Sequence, residues 1–135
     1  MGSLIRIAAI SLITALVAVS LVYTIADSLS GPLMAAQPGS DESTQLTLAN
    51  AVGATFFGGI IGTILAFVVS RLKRSVQIFA GICLVGLVLY GVVAYNAADD
   101  TTTGLWLNIM HLTAAIPIVG GLARWLSTAT GRTPQ

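Results

Sequence analysis

The chain has 135 residues, of which 56% are hydrophobic and 8% charged, with a mean hydropathy of +0.92 and a formal net charge of +1. Soluble domains carry roughly a quarter charged residues, so a water-soluble globule is excluded and lipid is the expected solvent. One cysteine excludes the paired-cysteine chemistry of thiol oxidoreductases.

The first apolar run, about residues 7–26, contains no Asp, Glu, Lys or Arg and approaches the ~20 residues that cross a bilayer. Arg6 before it and TIADS after it resemble a secretory signal peptide. The run exceeds the usual 7–15 residues of a signal core and has no clean A-x-A site, so a membrane span is the expectation. Ala8, Ser11, Ala15 and Ala18 alternate at three- and four-residue spacing, a seam suited to a neighbouring helix. The loop at 27–45 is broken by Gly31-Pro32 and Pro38-Gly39 and is expected to be the most mobile part. Ser40 or Asp41 is the expected cap of a second helix that begins ahead of the membrane.

The second span, about 46–70, carries Ala54, Gly58, Gly62 and Ala66 at four-residue spacing, with Asn50 and Ser70 extending the row. Such a small-residue stripe predicts close helix packing, and helices 1 and 2 are expected to meet, with the row itself facing a neighbour within the chain or a second protomer. A basic turn at 71–75 leads to a third span at about 76–95, where Cys83 reads as an apolar filler. A short loop at 96–104, bearing Asp99-Asp100, leads to a fourth span at about 105–123. Adjacent acids in such a turn read as solvated. Trp106 and Trp125 bracket this last span, 19 residues or about 28 Å apart, close to the hydrocarbon thickness. The expected fold is therefore one all-α membrane domain, a bundle of four transmembrane helices.

Charge sets the expected orientation. Arg6, Arg71, Lys73, Arg74, Arg124 and Arg132 all fall on one side of the four spans, and Asp27, Asp41, Glu42, Asp99 and Asp100 on the other. Retention of Lys and Arg in the cytoplasm gives an N-in, C-in topology in the plasma membrane, with acidic loops outside.

Polar residues inside the spans are the candidates for function. Asn108 and His111 share a face of helix 4, and Pro117 lacks the N–H that the Thr113 carbonyl would otherwise receive, predicting a kink. Tyr90 on helix 3, Asn50 and Thr55 on helix 2 and Thr24 on helix 1 fall near the same level, an outward polar layer in prospect. The only imidazole has no acid within a span to pair with, so it reads first as a neutral hydrogen-bonding residue between helices. Catalytic, cofactor and metal sites are not expected. No second axial ligand stands ready for heme, no Lys within a span for a Schiff base, and no triad or metal-spaced cluster for hydrolysis.

The stretch LWLNIMHLTAAIPIVGGLAR, with four spans, the turn RLKR and an acidic outer loop, resembles a family of small four-helix actinobacterial membrane proteins known only as a domain of unknown function. That resemblance implies a plasma-membrane protein and supplies no activity. The expected role is structural or accessory, packing against other membrane subunits or itself. The alternative is a small-molecule or lipid-binding module with an outward pocket around Tyr90, Asn108 and His111. Expected partners are membrane lipids and a membrane protein or second copy, not nucleic acid, and no cofactor.

Overall fold

A computed structural model describes residues 2–36 and 42–130. Four helices carry it: α1 Gly2–Ser30, α2 Leu48–Val69, α3 Ser75–Ala97 and α4 Thr101–Thr130, with short strands β1 Met34–Ala36 and β2 Ser43–Gln45 between α1 and α2. All four helices are long and apolar enough to cross a membrane, the makings of a multi-pass membrane protein.

Helices α1 and α4 run 29 and 30 residues, about 45 Å each, well beyond their apolar runs. In the polar end of α1 hydroxyls are satisfied on carbonyls one turn back: Thr24 donates to the Ser20 carbonyl and Ser28 to the Thr24 carbonyl. Gly31, at φ 73°, then ends α1 in the left-handed region, its N–H returning to the Asp27 carbonyl. Helix α2 begins at Leu48 under Thr47, whose hydroxyl accepts the Asn50 N–H while Asn50 Oδ1 accepts the Thr47 N–H. The cap expected at Ser40 or Asp41, and the Pro38-Gly39 break, lie outside the described residues. Asn50 is thus a capping residue. Ser70 is the C-cap of α2.

Helix α4 is the centre of the bundle and touches each of the other three, whereas α1 and α3 meet least and α2 and α3 only lightly. Helix α1 presents Leu4, Ser11, Ala15, Val19, Tyr23 and Ala26 inward. The expected seam is therefore real at Ser11 and Ala15, with Ala8 and Ala18 half-buried. Its main partner is α4 rather than α2, because Gly121 admits Ser11 so closely that any Cβ there would overlap the hydroxyl. Both ends of this antiparallel pair are tied. Trp106 Nε1 donates to Ser30 Oγ at 2.8 Å, and Trp125 Nε1 to Ser3 Oγ at 3.3 Å.

Only the Gly62–Ala66 end of the small-residue row of α2 packs within the chain. Gly62 is half-buried and Ala66 buried, but Ala54 and Gly58 are exposed, and nothing lies within 4 Å of a Cβ built at Gly58. Residues four apart rotate by about 40° around a helix, so three such steps carry the row about 120° off the contact face. The inward face instead runs through Thr55, Gly59, Ala66 and Val69, and Leu12 of α1 sits against Gly59.

Within the segment 27–45, Asp27–Ser30 belong to α1 and β1 pairs antiparallel with β2, Ala35 opposite Thr44, while residues 37–41 lie outside the described residues. Fully buried Leu33 accepts the Leu46 N–H, and the Tyr23 hydroxyl donates to the Leu46 carbonyl at 2.7 Å. The hairpin is stitched to the α3–α4 turn by an Ala35–Ala98 bridge, by the Asp99 N–H on the Met34 carbonyl, and by Ser43 donating to Asp99. Apolar packing falls into two clusters. One, around Leu4, Val69, Phe79 and Leu126, fills the end bearing the basic turn; the other, around Tyr23, Leu33 and Met110, fills the end bearing the hairpin.

Candidate functional site

The polar residues of α4 sit toward the hairpin end, on the side that meets α3. Asn108 Nδ2 donates to the Gly91 carbonyl of α3 at 3.2 Å and to the Gly104 carbonyl of its own helix at 2.9 Å. Two glycines allow this approach: a Cβ at Gly91 would stand 2.6 Å from Asn108 Oδ1, and one at Gly104 would stand 2.7 Å from the Tyr95 ring. Interhelical polar bonding, expected of His111, therefore belongs to Asn108.

His111 Nδ1 lies 2.7 Å from the Leu107 carbonyl one turn back. A carbonyl only accepts, so Nδ1 carries the proton and Nε2 keeps a lone pair in the neutral ring. The contact of His111 with α3 is aromatic: the Tyr90 ring meets it edge-on, centroids 4.8 Å apart at 67°. Tyr90 itself is 56% exposed.

Of the expected polar layer, then, Tyr90, Asn108 and His111 come together, and the rest do not. Thr55 is buried on α2 and gives its hydroxyl to the Ala51 carbonyl at 2.9 Å, while Thr113 donates to Ile109 at 2.7 Å. Helix α4 passes through Pro117 as one unbroken helix. An open groove of about 390 Å³ follows the α3–α4 seam, lined by residues including Leu87, Gly91, Tyr95, Asn108 and Leu112. Tyr90 and His111 stand outside it, so the pocket expected around all three is not formed as one cavity.

Among the described residues no three His, Cys, Asp or Glu side chains gather as a metal site. Asp100, one of the paired acids, instead caps α4. Its carboxylate accepts the Thr103 N–H and hydroxyl, each at 2.8 Å, and the backbone bond above all holds its pKa below the ordinary 3.8.

Residues 1–128, which carry the four helices up to the last turn of α4, match the family described as "Family of unknown function (DUF6069)". The chain belongs to DUF6069. No curated protein and no solved structure matched it. Membership in DUF6069 covers all four helices through Thr128 and assigns no chemistry to them. What sequence reasoning missed in this member is the glycine set Gly91, Gly104 and Gly121, where single small residues, not a repeated row, set the helix contacts.

Proposed function

We propose that this DUF6069 protein is an accessory membrane protein without catalytic activity, held in the plasma membrane with both termini cytoplasmic, that packs against another polytopic subunit or a second copy. The observation that carries the reading is the bareness of α3. Only Ser75, Phe79, Gly91 and Ala94 of its 23 residues are buried, and a Cβ at Gly81 or Gly86 would meet nothing within 4 Å. Helix association in lipid depends on close backbone approach, which glycines on an open face permit. Charge supports the orientation, since Lys and Arg favour the cytoplasmic side.

Disulfide trapping in native membranes tests the association. In a Cys83→Ala background, Gly86→Cys should cross-link to one discrete partner or to itself, while Ile13→Cys on the exposed face of α1 should not. Equal trapping at both positions, or none at Gly86→Cys, would end the accessory reading.

The His111 lone pair favours a second reading, a small-molecule or lipid-binding module. Its Nε2 is left free to accept once Nδ1 is committed to Leu107, and Tyr90 lies beside it. Native mass spectrometry after gentle solubilisation separates the readings: a retained small molecule lost in His111→Ala supports this one.

A further inference from the structure

The two ends of the bundle are electrically opposite. Arg6 and Arg124 lie at the end of the bundle where Trp125 donates to Ser3, and Leu4 packs in one cluster with Val69 and Phe79, which flank the turn carrying Arg71, Lys73 and Arg74. All five cations are exposed. The described carboxylates, Asp27, Glu42, Asp99 and Asp100, stand with the strands at the other end.

Within the basic end, the turn between α2 and α3 has a particular construction. The Arg71 guanidinium lies 5.5 Å above the Phe67 ring, which holds it against the last turn of α2. Arg74 occupies the N-cap of α3 without a side-chain capping bond, so the positive end of a 23-residue helix dipole lies beside the cations. Ser75, in that same first turn, is 1% exposed and its hydroxyl has no hydrogen-bond partner. Between the cations stands Leu72, 46% exposed, with Val68 at 58% and Ile78 at 37% on the helices either side. A soluble anion has no use for those apolar side chains. A phospholipid uses both kinds of surface, its phosphate on the cations and its acyl chains along Leu72, Val68 and Ile78.

We propose that the α2–α3 turn is a binding site for an anionic phospholipid, with Arg71, Lys73 and Arg74 around the headgroup phosphate and Leu72 set among the acyl chains. The inference rests on the four helices spanning a bilayer and is independent of the accessory role. Long-range attraction to a negative leaflet would be spread over all five cations; the turn concentrates three of them around an uncapped helix start.

The test uses the full chain in phosphatidylcholine nanodiscs with increasing phosphatidylglycerol, reading retained lipid by native mass spectrometry and the melting temperature in parallel. Phosphatidylglycerol should be enriched over its bulk fraction and should raise the melting temperature, with both effects weakening as salt screens the charges. Arg71→Gln/Lys73→Gln/Arg74→Gln should abolish both the enrichment and the rise in melting temperature that phosphatidylglycerol brings. Lys73→Gln alone, on an exposed side chain that leaves the fold intact, should lower the preference roughly fivefold. Equal retention of the two lipids by the wild type, or an undiminished preference in Lys73→Gln, overturns the proposal. So does equal protection by inorganic phosphate in pure phosphatidylcholine, which would make the site one for free anions.

Discussion

Gly121→Ala adds one methyl group at the closest approach of α1 and α4. The new Cβ overlaps Ser11 Oγ, and Ser11 Cβ stands only 3.1 Å away, so rotating the hydroxyl does not clear the space. The helices must separate locally, and overpacking of this kind typically costs about 1–3 kcal/mol. That raises the unfolded fraction roughly 5- to 150-fold. Gly58→Ala is the matched control, since its methyl meets nothing within 4 Å, and stability should stay level or rise slightly. Unfolding in mixed micelles can be followed by intrinsic fluorescence, because the two tryptophans of the chain sit at opposite ends of the α1–α4 seam. Ser11→Gly in the Gly121→Ala background should recover part of the loss, through the double-mutant cycle. Equal stability of Gly121→Ala and wild type, or equal damage from Gly58→Ala, would refute this packing.

Asn108→Leu should destabilise the bundle by about 0.6–1.7 kcal/mol, the range for interhelical hydrogen bonds in lipid, measured by the same unfolding curve. His111→Ala should be milder than Asn108→Ala, because its hydrogen bond stays within α4; the reverse order would return the bridging role to the imidazole. Asp100 has a depressed pKa when folded, so its contribution is present above the ordinary 3.8 and is lost as pH falls through the lower folded value. Wild type should therefore exceed Asp100→Ala in melting temperature at pH 7, with the gap closing only below about pH 3.8. For orientation, Thr102→Cys should react with an impermeant thiol reagent on intact cells and Lys73→Cys should not, both in Cys83→Ala. Both positions are exposed, unlike Ser75, and the opposite labelling would invert the topology.

Much of the architecture is legible from composition. Four charge-free runs of about 20 residues specify four long helices because a backbone in lipid must satisfy its own hydrogen bonds. Trp106 and Trp125 marked the ends of the fourth run, and each turned out to hold a serine of α1. Pairing of helices was less legible. The repeated row on α2 attracted notice, but an isolated glycine such as Gly121 gives no periodic signal, and what makes it decisive is Ser11 from a distant part of the chain. The same holds at the polar site. His111 stands out by rarity, whereas Asn108 became the bridge because Gly91 of α3 exposes a carbonyl to it, a pairing that only the three-dimensional arrangement determines. The hairpin escaped sequence reasoning because strands of three residues are too short to show an alternating pattern.

The pairing of α1 with α4 bears on biogenesis. The helix that leaves the ribosome first has its chief partner in the helix that leaves last, and α2 and α3, made in between, have little to offer one another. During synthesis Ser11 and its small neighbours must therefore wait in lipid, or against a chaperoning insertase, until α4 arrives. The α1–α2 contact can form early, but the bundle closes only at the end of translation, and a chain truncated ahead of α4 would lack the one helix that touches all the others.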